Sequence, residues 1–411
     1  MLRWKLDSLG GRAWLVFWIG MFLFYFLQVL FFRTPSELPH AVDFRMRYNE
    51  AECVRHGKDP YLVWNGTLKS GKYTPWSFER LYSADELSFV HAYPPWSYAW
   101  MLPLTCVSRD SAEAVFRGIT WCGFLFIVGC AFSLGYKAKS EAWAGFAAAA
   151  AALLAWRSVL DCLVCLNYGV LITAAAMMAL LCHRKRQDWI AGLFWAFTLV
   201  KPQIGGLFMV ALLVRRKWRT LLVAGLITLF GTLLSAYLCH RSPMEMILSI
   251  VQYSQGQFHS TGFVPRGLFA LLEPRLGESA LMAGSAAVGA LLCVFLSWRL
   301  RTCDDVFEWA MPAVFLSTLW VAARLHDQVI DAIMFLGLAL SAVRETKICR
   351  LVCDTTLMLL LLSRGLDDTF LFPVNLTQLL ALILLFVRAK RYYCSAQKGS
   401  KDEDIRCNPS L

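Results

Sequence analysis

Charge is scarce in this chain of 411 residues. Asp, Glu, Lys and Arg make up 17% of it, where a water-soluble domain carries about a quarter. That excludes a soluble globule. With 58% hydrophobic residues and a mean hydropathy of +0.51, the chain reads as integral to a membrane. Nucleotide-binding signatures are wanting too. No GxGxxG occurs. Gly66-Thr67-Leu68-Lys69-Ser70-Gly71-Lys72 begins like a phosphate-binding loop, but Tyr73 stands where a magnesium-binding hydroxyl is needed, and no buried strand precedes it. Asp402-Glu403-Asp404 spells a metal-holding DxD, yet it lies in a polar tail of the composition that stays disordered. Cys162 and Cys165 form one CxxC with no second pair at zinc spacing and no βαβ pattern around it, which argues against a zinc ribbon or a thioredoxin-like centre. Most of the 14 cysteines lie inside apolar runs, where they read as small buried hydrophobes. No metal and no cofactor is expected, and any transferred group is expected to arrive on a lipid.

What is abundant is apolar sequence. Runs long enough to span, or nearly so, lie at about 14–32, 114–135, 142–157, 167–182, 189–200, 203–214, 220–239, 279–298, 307–323, 328–342, 351–363 and 370–387. The first has no small-residue cleavage site after it and reads as an anchor. The net charge of +11 is carried by short linkers such as His183-Arg184-Lys185-Arg186 and Arg215-Arg216-Lys217-Trp218-Arg219. That is the mark of cytoplasmic loops rather than of a nucleic-acid partner. A further run, 96–107, follows Pro94-Pro95. If it dips in and returns without crossing, every strongly basic linker falls on one side. The expected architecture is therefore all-α and polytopic, with roughly twelve transmembrane helices and both termini cytoplasmic. Residues 1–391 form one integral domain with an outer loop at 33–113, and 392–411 form a cytoplasmic polar tail. The outer face collects the longer polar loops, which is where function concentrates.

On that face stands Asp43, just past the first span. It is either a helix N-cap for the amphipathic stretch Phe44, Tyr48, Ala51, Cys53 or a general base kept ionised by Arg45 and Arg47. Lys201-Pro202 begins a helix whose positive end, with the lysine beside it, suits a phosphate; the plainer reading is a lysine snorkelling at a span end. Arg324-Leu325-His326-Asp327-Gln328 caps a late span. Asp331 shares a helix face with Asp327, and the cost of a carboxylate inside a span points it toward a polar cavity. Tyr93, Asn167, Gln203 and Arg266 are further pocket candidates, whereas loop salt bridges account equally well for Arg157 and Asp161.

Taken together, Asp43, Tyr48 with Gly57-Lys58-Asp59-Pro60-Tyr61, Tyr93-Pro94-Pro95, Lys201-Pro202 and His326-Asp327 resemble the GT-C membrane glycosyltransferases. Within these the pattern is most similar to glycosyltransferase family 87, the polyprenyl-phosphate-mannose-dependent α-mannosyltransferases. One departure is visible: where that family usually shows Gly-Gln before the span at 167–182, this chain has Asn167-Tyr168-Gly169. The resemblance implies a GT-C fold with juxtamembrane helices in the first outer loop. It also implies metal-free, inverting transfer of a hexose, mannose first among candidates, from a polyprenyl-phosphate donor to a lipid or glycan acceptor on the outer face of the plasma (inner) membrane. Asp43 matches the loop-one catalytic acid, while Lys201, Arg324, His326 and Asp327 match the donor phosphate and sugar pocket. A polytopic lipid or sugar transporter and a glycan polymerase or ligase are the rival readings. A transporter would be expected to show an internal repeat and midplane breaks, and neither is seen.

Overall fold

The computed structural model describes residues 41–62, 93–136, 157–250 and 278–301, together with 309, 310 and 313. Every regular element among them is helical, in keeping with an all-α chain. The expected spans at 14–32, 328–342, 351–363 and 370–387 lie outside the described residues, as do nearly all of those at 142–157 and 307–323. Arg266, Arg324, His326, Asp327, Asp331 and the polar tail lie outside them as well.

In chain order, α1 is Val42–Arg55 and α2 is Pro95–Met101, the latter followed by a 3-10 turn at Leu102–Cys106. Then come α3 Arg109–Tyr136, α4 Arg157–Cys165 and α5 Gly169–Arg184. The series continues with α6 Asp188–Thr198, α7 Pro202–Val214, α8 Trp218–Leu238 and α9 Glu278–Arg299. The segment expected to enter and return, 96–107, is α2 plus its 3-10 turn, about 20 Å of helix at most and too short to cross about 30 Å of hydrocarbon.

Among the described residues, two helices are long and apolar enough to cross a membrane: Arg109–Cys130 of α3 and all of α8. Their packing is the reverse of a soluble helix. In α8 the buried positions are small or hydroxylated (Thr220, Ala224, Gly231, Thr232, Ser235, Ala236), while Leu222, Leu226, Leu229, Phe230 and Leu233 are exposed. Most of both helices is exposed or half-buried. Large apolar residues outside and small ones inside is the pattern of a membrane-associated helix, since lipid solvates the leucines and close backbone approach holds the bundle together. At Gly231 an added Cβ would lie 2.9 Å from the carbonyl oxygen of Trp96. At Gly192 it would lie 2.5 Å from the Val223 Cβ, so α6 and α8 touch nearly backbone to backbone there.

α5 is the central helix, buried on almost every side, and packs against α3 and α6. α6 in turn packs on α8, α8 on α2, and α7 on α9. Helices α4, α5 and α7 end alike, with a non-glycine residue in the left-handed region (Leu166, Arg186 and Arg216, φ 55–59°). In each case the next N–H reaches back to a carbonyl in the helix: Asn167 to Cys162, Gln187 to Cys182 and Lys217 to Leu212, at 2.9–3.0 Å. These turns close the helix ends by satisfying their last carbonyls.

The bundle thus has two chemically distinct ends. At one, the connectors after α5 and α7 are tied by Asp188, whose Oδ1 faces His183 Nδ1 at 2.9 Å and accepts from Lys217 Nζ at 3.3 Å. Trp195 Nε1 donates to His183 Nε2 at 3.1 Å, so Nδ1 carries the proton given to Asp188. Arg215 donates to the carbonyl of Leu300 at 3.0 Å and so brings the end of α9 to the same place. The other end gathers α1, α2, the α4–α5 turn, the α6–α7 turn and the end of α8. Replacing Gly192 by Val should cost about 1–3 kcal/mol through overpacking against Val223 and Thr220. The measurement is a detergent thermal melt, in which Gly192→Val should unfold several degrees below wild type and Gly118→Val, where a Cβ meets nothing, should not.

Candidate active site

Asp43 is not the N-cap of its helix. That position is Ala41, in the left-handed region at φ 59°, and no side chain caps the end. The N–H of Ala41 donates to the carbonyl of Val164 at 2.9 Å, pinning the start of α1 to the end of α4. One residue past Val164 and Cys165, the Leu166 turn delivers Asn167 to the same place. Asp43, in the first turn of α1 and half-buried, then accepts from Asn167 Nδ2 at 2.8 Å. Asn167 Oδ1 accepts twice, from Lys201 Nζ at 2.8 Å and from the N–H of Gly169 at 3.0 Å. Three candidates separated by 124 and 34 positions therefore form one continuous chain, carboxylate to amide to ammonium.

Lys201 is the N-cap of α7, with Pro202 as its first residue, and its carbonyl accepts from Ile204 and Gly205 at 2.9 Å. Its side chain is buried rather than snorkelling outward. Gln203 lies in the first turn of the same helix. Of the two arginines read as flanking partners of Asp43, Arg45 turns to α3 and pairs with Glu113 at 3.1 Å. Arg47 is buried, and its Nη1 donates to both oxygens of Glu50 at 2.8 Å. It also stacks over Tyr93, 4.2 Å from the ring centroid, and feels the negative field of Asp43.

Glu50 is a site residue that the sequence reading passed over. Asp43, Arg47 and Glu50 are i, i+4 and i+7, one face of α1; that spacing was the available signal. Glu50 is 1% exposed, and burial pushes its carboxyl up to about 8 against the opposing pull of Arg47. Tyr168 was likewise missed. It is buried in a layer of rings in which Phe44, Phe116, Tyr168 and Phe197 meet in succession at centroid distances of 5.1–6.0 Å, and Tyr93 lies 5.5 Å from it. Its hydroxyl has no hydrogen-bond partner among the described residues. This aromatic layer is an apolar floor under the polar chain.

The Gly57-Lys58-Asp59-Pro60-Tyr61 stretch turns out to clip α1 to α8. Asp59 Oδ1 accepts the N–H of Tyr61 at 2.8 Å, its Oδ2 lies 3.8 Å from Arg241 Nε, and Cys239 donates to the carbonyl of Lys58. Tyr61 donates to the carbonyl of Tyr93 and so holds the approach to Pro94-Pro95. Trp96 Nε1 donates to Leu199 at 2.8 Å and Ser235 to Pro95 at 2.7 Å, which secures α2 against α6 and α8. Helix α2 is thus a built wall of the site.

The described helices thus form an apolar bundle that joins a carboxylate, an amide and a lysine at one end. The model of glycosyltransferase family 87 matches residues 91–323, more than half of the chain, and the protein belongs to that family. Tyr93, Asn167 and Lys201 fall inside the match, whereas Asp43 precedes it and Arg324, His326 and Asp327 directly follow it. No curated protein and no solved structure matches the chain.

The raised carboxyl of Glu50 has a consequence for stability. Folded protein holds this proton to about pH 8, whereas the unfolded chain releases it near 4.5. The folded state therefore binds more protons between those values, and stability falls as pH rises through that window. Thermal melts in detergent from pH 5 to 8 should show this decline, with a shallower slope in Glu50→Gln.

Proposed function

We propose that this glycosyltransferase moves a hexose, mannose first among candidates, from a polyprenyl-phosphate donor to a hydroxyl of a lipid or glycan acceptor, with inversion. The observation that carries the reading is the hydrogen-bonded chain from Asp43 through Asn167 to Lys201, which sets a half-buried carboxylate beside a buried cation at one end of an apolar bundle. Asp43 takes the acceptor's proton as its oxygen attacks the anomeric carbon from the face opposite the phosphate. The bond from that carbon to the phosphate oxygen breaks, and its electron pair leaves on polyprenyl phosphate. Phosphate leaves readily, so one base is enough. General-base help contributes about 10²–10⁴ in rate, with positioning and neutralisation of the leaving phosphate supplying much of the rest.

Lys201 at the start of α7 supplies positive charge for the phosphate, joined by Arg324, His326 and Asp327 around the donor. Tyr93, Arg47, Gln203 and Arg266 complete the pocket, and Arg45 braces α1 through Glu113. The test uses purified full-length protein with radiolabelled decaprenyl-phosphate mannose and an alkyl mannoside. Wild type should release decaprenyl phosphate and a product one sugar longer. Asp43→Asn should lose at least about 10²-fold in kcat while keeping its melting temperature. Transport of intact donor lipid without cleavage, or joining of whole glycan chains, would overturn the reading.

The same proposal assigns sides. The end bearing Arg184, Lys185, Arg186, Arg216 and Arg219 faces the cytosol, and the end bearing Asp43 faces outward, in a protein of roughly twelve spans. In a background without exposed native cysteines, Lys185→Cys should react with an impermeant maleimide only from the cytosolic side. Glu245→Cys, exposed just beyond α8, should react only from the outside. Reaction of both from one side would overturn the assignment.

A further inference from the structure

Asn167 is oriented by its partners. Its Oδ1 meets two donors, the Lys201 ammonium at 2.8 Å and the Gly169 N–H at 3.0 Å. Reversing the amide would set its NH2 group against both, donor facing donor, so the NH2 group is held toward Asp43. The backbone allows no slack either. Asn167 follows the left-handed Leu166, its own N–H is bonded to Cys162 at 3.0 Å, and the side chain is 5% exposed. Asp43 Oδ2 is the oxygen that receives the amide at 2.8 Å, and no described residue bonds its Oδ1. A cation on the amide oxygen polarises the group, which strengthens the bond its N–H makes on the far side.

From this geometry we infer that Asn167 is a positioning residue: it occupies Oδ2 of Asp43, leaves Oδ1 as the oxygen that takes the acceptor's proton, and transmits the Lys201 charge to the carboxylate. The inference rests on the reading of Asp43 as the base. In the transfer step the proton passes from the acceptor hydroxyl to Oδ1 while Oδ2 keeps its amide bond, so the carboxylate does not rotate as charge moves.

Asn167→Asp probes the Asp43 side of the amide. It keeps an oxygen for Lys201 and Gly169 and replaces only the NH2 group. The introduced carboxyl then faces that of Asp43 across a hydrogen-bond distance and also pairs with Lys201, so kcat with decaprenyl-phosphate mannose should fall about 10²-fold while the donor KM rises as the lysine's charge is shared. As pH is lowered, the introduced carboxyl takes up a proton and can donate an O–H to Oδ2. The ratio of variant to wild-type kcat should therefore rise toward acid. Asn167→Leu, with no donor at any pH, should show a deficit without that recovery. A merely structural asparagine would give no such contrast.

A kcat for Asn167→Asp within twofold of wild type, or the same pH course in both variants, would overturn the inference. If Asn167→Asp does not yield monodisperse protein, Asn167→Ser decides the matter, since its hydroxyl is too short to bridge to Asp43. A tenfold or greater loss of kcat supports the role and a wild-type kcat overturns it. The two readings separate cleanly. Activity in Asp43→Asn, or no donor cleavage by wild type, removes the base and this role with it. An inactive Asp43→Asn beside a normal Asn167→Asp removes only the role of Asn167.

Discussion

The site depends on a single junction, the attachment of the start of α1 to the turn between α4 and α5. One backbone bond, from Ala41 to Val164, and one side-chain bond, from Asn167 to Asp43, bring the first helix of the described chain against its middle. The turn that allows this places Leu166 in the left-handed region, which costs a branched side chain about 1–2 kcal/mol. Four backbone and side-chain hydrogen bonds around Asn167 offset that cost. Without the junction, Asp43 would be an ordinary first-turn acid favoured by the helix dipole. With it, the carboxylate has a fixed neighbour on Oδ2, and no described residue bonds its other oxygen.

The rest of the architecture serves that junction by excluding freedom elsewhere. Large apolar residues point outward on α3 and α8, so those two helices add little by burying leucines. Stability comes instead from close approach at Gly192 and Gly231, from hydroxyls such as Ser235 bonded to neighbouring backbone, and from charged networks at the two ends. The opposite end is braced by Asp188, His183, Lys217 and Trp195, which share one set of hydrogen bonds across three helices. The Asp43 end is braced by the Asp59 clip and by the wall that α2 forms against α8. Buried Arg47 is held beside Tyr93 by two hydrogen bonds to Glu50, bonds that are expensive to break once both groups are out of water.

Membership of glycosyltransferase family 87 accords with much of what the motifs implied. The positions of the α5, α6, α7 and α8 helices follow the apolar runs at 167–182, 189–200, 203–214 and 220–239 closely, because hydropathy and the Arg- and Lys-rich breaks report the same boundaries. Pro202 marked the start of α7 for the reason that proline suits a first helical position. Other readings were less complete. Arg45 and Arg47 were legible as charges near Asp43, but their partners Glu113 and Glu50 lie 68 and 3 positions away and follow from packing. Gly57 to Tyr61 was legible as a motif, while its role as a clip to Arg241 depends on a contact across 182 positions.

Composition and periodicity by themselves determined that this is a helical, membrane-associated chain, where its helices break, and that Asp43, Asn167 and Lys201 are polar residues at helix ends. These follow from local terms: apolar length, charge at linkers, proline geometry and helix dipoles. Only the tertiary structure decided that the three meet, that Ala41 rather than Asp43 begins α1, and that Asn167 presents its amide hydrogen to the carboxylate. Those outcomes depend on how α1 lies against the α4–α5 turn and on which donors reach one amide oxygen. Such relations join residues far apart in sequence, and no local preference encodes them.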